Sequence, residues 1–429
     1  MEETKVTVID SICGSGKTSW AIQEMNNNME QRYIYITPYL DEVKRVKANC
    51  SNRFFHEPNQ KLGKGSKYNH FVELLEEGKN IVSTHTLFRN IDKQISELIQ
   101  KYNYTLILDE VMNVIEKNVI NSDDLKILKD MKIIEIKDNQ VYWINDNYSG
   151  ELSKYKNSCL NGDMFIIDNK VIMWTFPVSI FKSFKHIYIM TFLFEGQAQK
   201  YYYDMYNIDY EYKSVEFTGI QGFGTEKKRT YKLVDYKEAD RTQLRELINI
   251  YEGKYNNIGR KISRENPLSM SWFDRQKENK TDQLDKLKSN IENYFKNSCK
   301  EELANGKKKA YKGKYNLWTI PKSIAMNEKG NMLFKVRNNT KNFLSWNTRA
   351  TNEYRHKINV AYCINLYMNV IDYKFFYSRN IKINEDIWAL GEMIQFIFRT
   401  QIRDNKPINI YVPSERMRNL LKDWLNSWF

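Results

Sequence analysis

KVTVIDSICGSGKTSWAIQEM, Lys5 to Met25, sets an apolar run, a Gly-rich turn and a helix-compatible run in immediate succession. That order predicts a strand, a phosphate-binding loop and a helix. Gly14 and Gly16 let backbone amides turn inward around phosphate oxygens, and the helix N-terminus adds its positive dipole end. In this reading Gly14, Ser15, Gly16, Lys17, Thr18 and Ser19 bind a nucleoside triphosphate. Lys17 reaches its β- and γ-phosphates and Thr18 holds Mg²⁺. The first position of the usual G-x-x-x-x-G-K-T pattern is Ser11, small enough for the loop.

Working outward, short apolar runs alternate with helix-like stretches, the pattern of a parallel sheet covered by helices. Lys5 to Asp10, Arg32 to Thr37, Asn80 to Thr84, Thr105 to Asp109 and His186 to Thr191 read as strands, each ending in a small or acidic polar residue. In open α/β sheets ligands sit beyond the carboxyl ends of the strands, so chemistry is expected there. TLILDE (Thr105 to Glu110) ends in two acids, and beside a phosphate loop these have defined tasks: Asp109 for Mg²⁺, Glu110 to orient and deprotonate water.

A β-rich insertion is expected at about 131 to 185, where VYWIND, DMFIID and KVIMWTF alternate with Asn, Asp and Gly. GFGTEKKR (Gly222 to Arg229) reads as a linker, dividing a first lobe, 1–222, from a second, 223–429. Thr230 to Val234 would then open a second set of strands, with LSMSWF (Leu268 to Phe273), NLWTI (Asn316 to Ile320), NFLSW (Asn342 to Trp346) and INIYV (Ile408 to Val412) as further apolar runs. In EDIWALGEMIQFIFRTQIR (Glu385 to Arg403), Gln395, Arg399 and Arg403 stand at i, i+4 and i+8. On one continuous helix they would share a stripe about 80° wide, suited to presenting an arginine finger to a γ-phosphate. Asn384 is the expected cap, followed by an acidic first turn.

Length and composition set outer bounds. A chain of 429 residues suits two domains, and 66 Lys and Arg against 53 Asp and Glu leave a charge of +13 that favours a polyanionic partner. KKKAYKGKY (Lys307 to Tyr315) concentrates part of it. The excess of Lys, Asn, Ile and Tyr also fits an AT-rich genome. Five scattered cysteines, never spaced C-x-x-C, suggest neither a disulfide frame nor a zinc site. No run approaches the roughly 18 to 20 apolar residues of a membrane span, and Met1-Glu2-Glu3 does not begin like a signal peptide; the expectation is a cytoplasmic protein.

Taken together, these segments resemble a superfamily 2 helicase, closest to phage-encoded DEAD/DEAH-like helicases of low-GC Gram-positive bacteria. SICGSGKTS is similar to motif I, ITPYLDEVKRV (Ile36 to Val46) to motif Ia, VSTHTLF (Val82 to Phe88) to motif Ib and LILDEV to motif II. IMTFLFEG (Ile189 to Gly196) stands in place of motif III. LSMSWF resembles motif IV, TRATNEYR (Thr348 to Arg355) motif V, and QFIFRTQIRDNKPINIYVPSERMRNLL (Gln395 to Leu421) motif VI with the strand after it. The resemblance implies two RecA-like lobes with ATP and Mg²⁺ between them, and a nucleic-acid strand met by Thr37, Pro38, Thr84 and His85 of the first lobe and Arg349 and Thr351 of the second. It implies an ATP-driven helicase or translocase on single-stranded or forked DNA in phage replication, with replication proteins as partners. Duplex translocation, RNA unwinding and an ATP-switched binding protein with little turnover are the alternatives. Motif III lacks its usual Ser-Ala-Thr, and the arginines of motif VI stand four apart rather than three.

Overall fold

Strands buried on both faces need apolar side chains at nearly every position, and the runs read from the sequence meet that demand. In the computed structural model β1 (Lys5–Asp10), β2 (Tyr33–Thr37), β4 (Asn80–Thr84), β5 (Thr105–Asp109) and β11 (His186–Thr191) are strands, packed from both sides. The structure describes residues 3–88, 93–168, 171–222, 228–261, 265–348 and 353–426. Arg349 and Thr351, expected on the nucleic acid, lie outside the described residues.

The chain forms two compact units: Met1–Lys237 with Asn369–Ile383, and Glu238–Met368 with Asn384–Phe429. Each holds a parallel sheet flanked by helices, the α/β architecture of two RecA-like lobes. In the first, strand order is β13-β12-β1-β11-β5-β2-β4-β3, where β3 is Phe55–His56, β12 Glu211–Gln221 and β13 Lys228–Asp235. All pairings are parallel except β12 with β13. Helix α1 (Lys17–Asn27) turns Trp20, Ala21 and Met25 into the core beneath Ile9, Tyr35, Ile107 and Met190.

The expected boundary near 222 is corrected. Thr230 to Val234 opens no second set of strands; it lies in β13, hydrogen-bonded to β12 of the first sheet. The Gly-rich stretch that reads as a linker stands between two strands that pair with each other, a relation local composition does not show. The insertion also starts and ends earlier than 131 to 185. It is a five-stranded antiparallel sheet in the order β6-β10-β9-β8-β7. Its strands are β6 (Ile115–Val119), β7 (Ile134–Lys137), β8 (Gln140–Trp143), β9 (Met164–Ile167) and β10 (Val171–Thr175). It has its own core, including Leu125, Leu128, Ile133 and Ile166.

Onto it packs helix Val370–Tyr377, from far along the chain. Phe375 meets Phe165 edge to face at 5.5 Å, Phe376 meets Tyr201 at 5.5 Å, and Asp372 pairs with Lys117 at 3.5 Å. The Arg379 guanidinium lies 4.3 Å from the Phe165 ring and 4.1 Å from that of Phe375.

The second unit's parallel sheet has the order β14-β19-β18-β17: Ile248–Ile250, Ile408–Tyr411, Asn359–Tyr362 and Asn316–Thr319. β15 (Lys300–Glu302) and β16 (Lys308–Ala310) form a separate antiparallel pair carrying the basic segment. LSMSWF is not a strand. Ser269 accepts a hydrogen bond from Trp272 N–H (3.3 Å) and caps helix Met270–Glu278, whose Trp272, Phe273 and Gln276 face inward at helical spacing. NFLSW contributes only a bridge from Phe343 to Trp318. Among the described residues no helix is long and apolar enough to cross a membrane.

Candidate active site

The residues expected to do chemistry in the first unit gather at the carboxyl edge of its sheet. After β1 the chain turns through Gly14 (φ 87°) and Gly16 (φ 100°), a region closed to most side chains. Gly16 O then accepts Trp20 N–H at 2.8 Å and α1 begins. The Lys17 ammonium folds back over the loop, donating to Ser11 O and to Ile12 O (3.2 Å). The Ser15 hydroxyl is buried within the loop and meets no hydrogen-bond partner among the described residues. A loop that ties its ammonium to its own carbonyls and orphans a hydroxyl fits phosphate oxygens, which would supply both with partners.

β11 lies between β1 and β5, pairing Asp10 with Thr191 and Met190 with Asp109, so both strand ends reach the same level. Thr18 Oγ1 donates to Asp109 Oδ2 at 3.5 Å, and Tyr35 OH donates to the same oxygen at 2.7 Å. Burial pushes the Asp109 carboxyl up to about 7, against the Tyr35 hydrogen bond that lowers it. A hydroxyl and a carboxylate oxygen side by side are the donors Mg²⁺ takes. Glu110 has φ 83°, unusual for a side chain with a Cβ, and its N–H donates to Met190 O at 3.0 Å.

Asp10 was not singled out by sequence. Its carboxylate accepts the N–H groups of Leu193 and Phe194, each at 2.9 Å, fixing the turn after β11 in which Leu193 holds φ 55°. Burial pushes its carboxyl up against those two bonds. The signal was present: Asp10 is the acidic end of the strand feeding the loop. Tyr35 gave none, reading as one more apolar residue of a buried run.

Of the residues expected to face nucleic acid, Thr37 and Thr84 end neighbouring strands and pair in register. Thr37 is wholly buried and its hydroxyl accepts Tyr39 N–H at 3.4 Å, so it holds the turn and is not presented outward. Pro38 and Thr84 are half-buried at that edge. His85 starts a short helix, its Nε2 finds no partner among the described residues, and burial pulls its pKa down to about 4.

The arginine stripe is corrected. The helix is Glu385–Ile397, capped as expected by Asn384, whose side chain accepts Ile387 N–H at 3.1 Å. It ends before either arginine: Thr400 Oγ1 donates to Ile397 O at 2.7 Å, and Gln401–Asp404 is a separate 3-10 turn closed by Asn405 at φ 55°. Gln395, Arg399 and Arg403 therefore share no helical face. Arg399 is buried and donates to Trp346 O at 3.3 Å, while Arg403 is exposed. Among the described residues no group of three or more His, Cys, Asp or Glu is placed to hold a metal ion.

Comparison with known proteins places these units in a lineage. The family model of the YonV C-terminal Rossmann-like domain matches residues 242–425, and that of the YonV middle domain matches residues 115–174, which coincide with the inserted sheet. The SPbeta prophage-derived protein YonV of Bacillus subtilis (strain 168) is 40% identical over 438 residues, covering 99% of both chains. A solved XPD helicase aligns with 98% of this chain and 94% of its own at 11% identity and a TM-score of 0.47. By identity over nearly its whole length, the chain belongs to the YonV family.

Proposed function

We propose that this protein is an ATP-dependent helicase or translocase that moves along single-stranded or forked DNA during phage replication. The observation that carries the reading is the meeting of the phosphate loop with the acidic strand end, where Thr18 and Asp109 stand 3.5 Å apart across an intervening strand. The prophage origin of the relative supports the setting, and the charge of +13 supports a polyanionic track.

In the proposed reaction Lys17 exchanges the carbonyls of Ser11 and Ile12 for the β- and γ-phosphates. Thr18 and Asp109 would hold Mg²⁺, which would supply neutralisation of the charge developing on the phosphates. Glu110 takes a proton from the attacking water as its oxygen bonds to the γ-phosphorus and the bond to the β-phosphate oxygen breaks, leaving ADP and phosphate. An arginine finger is part of the proposal, with Arg399 and Arg403 as its candidates. Thr84 and His85 are proposed strand contacts, and replication proteins proposed partners, in the host cytoplasm.

The test is ATPase turnover with and without single-stranded DNA, duplex DNA and RNA. Glu110→Gln is expected to lose on the order of 10² to 10⁴-fold, and Lys17→Ala to lose turnover with it. Stimulation by none of the three in low salt removes the motor reading, and undiminished turnover of Lys17→Ala removes the phosphate-loop assignment.

A further inference from the structure

β12 pairs with β1 only over Glu211 to Lys213, opposite Thr7 to Ile9, and then continues past the carboxyl end of β1 with β13 alongside. The hairpin therefore runs beside the phosphate loop, and it is fastened there. Val215 N–H donates to Ser11 Oγ at 3.0 Å, which gives the serine in that position a task a glycine could not perform. Ser214 Oγ donates to Asp10 O at 3.4 Å. The Gln23 side chain of α1 accepts Tyr231 N–H (3.0 Å) and donates to Tyr231 O (2.8 Å), clamping β13 to the helix. The Tyr231 ring then presses on the loop itself: a Cβ on Gly16 would stand 2.2 Å from its Cε1.

The cross-strand partner of Tyr231 is Phe217, their rings in T-shaped contact at 5.8 Å. Val215, Tyr231 and Leu233 pack on the core that α1 shares, and Phe217 stands two residues beyond Val215 on the same face. It has passed the end of that core and is 53% exposed. An aromatic ring left bare, held at fixed reach from a phosphate loop by the ring that touches the loop, has the form of a stacking surface for a base.

We propose that Phe217, backed by Tyr231, is the platform for the nucleobase of the bound triphosphate. The inference rests on the phosphate-loop reading and adds the element that seats the nucleoside. It is tested by equilibrium binding of ATP and of inorganic tripolyphosphate, each with Mg²⁺, to the full chain and to Phe217→Ala, Phe217→Tyr and Lys17→Ala. Stacking of one base is worth about 1 to 3 kcal/mol, so Phe217→Ala is expected to weaken ATP about 5- to 150-fold. Tripolyphosphate, which has no base, is expected to bind Phe217→Ala unchanged, and Phe217→Tyr is expected to recover ATP binding. Unchanged ATP affinity in Phe217→Ala, or equal losses for both ligands, overturns the platform while leaving the loop intact. Tripolyphosphate binding that survives Lys17→Ala overturns the loop reading, and the platform with it.

Discussion

Gly16→Ala tests the seating of Tyr231 on the phosphate loop. Two costs are separable. Gly16 sits at φ 100°, and placing a Cβ on a left-handed backbone costs roughly 1 to 2 kcal/mol whatever surrounds it. The new methyl also meets the Tyr231 ring at 2.2 to 2.9 Å, and the ring cannot swing freely because Gln23 holds its backbone from both sides. Forcing an extra carbon into packed surroundings adds about 1 to 3 kcal/mol. The expected total is about 2 to 5 kcal/mol by urea unfolding. Tyr231→Ala removes the ring and carries its own cost, yet in the double variant the steric part has nothing to act on. The pair is therefore expected to be less destabilised than the sum of the singles by about 1 to 3 kcal/mol. Strictly additive costs would refute the contact.

Tyr35→Phe removes the hydroxyl that donates to Asp109 at 2.7 Å; loss of about 1.5 to 3 kcal/mol is expected for a bond to a charged group, read as a higher Mg²⁺ requirement for ATP turnover and a lower urea midpoint. An unchanged Mg²⁺ requirement would show that the bond does not position the carboxylate. His186, stacked on Tyr188 at 4.0 Å, is pulled down to about 4 chiefly by burial. The unfolded chain therefore takes up this proton first as pH falls, and stability fully present above about 6.5 is lost down through about 4, by at most about 3 kcal/mol. Asp163, pushed up to about 7 by burial, acts in the opposite sense over the same range, so the comparison is with His186→Gln: wild type is expected to lose ground to it between pH 6.5 and 4. Parallel pH profiles would refute the assignment.

What the sequence made legible follows from range. The strand, loop and helix of Lys5 to Met25 are local, and each strand of the first sheet declares itself because burial on both faces admits few polar residues. Errors arose where distant pairing or a local stop decides. Composition marked 222 to 229 as a break, but β13 returns to β12. Helical spacing carried Arg399 and Arg403 onto one face, but Thr400 and Asn405 end the helix. β18 (Asn359 to Tyr362) is not declared by composition although all four of its residues are buried, because it opens on Asn359 and the basic run Arg355 to Lys357 stands just before it. The site divides in the same way. The glycines, Lys17, Thr18, Asp109 and Glu110 form a pattern, whereas Asp10, Tyr35, Gln23 and Tyr231 act through partners tens to hundreds of positions away.

The helix Val370–Tyr377 changes what can be made of the two units. Because residues 369–383 belong to the first, the backbone crosses between the units three times, at 237/238, 368/369 and 383/384. Severing the 237/238 crossing divides the chain into two fragments that the packing of this helix on the first unit still holds together. A fragment ending at 237 would instead bare the Phe165 and Tyr201 rings that this helix covers, and invites aggregation until a peptide spanning the missing segment is added back.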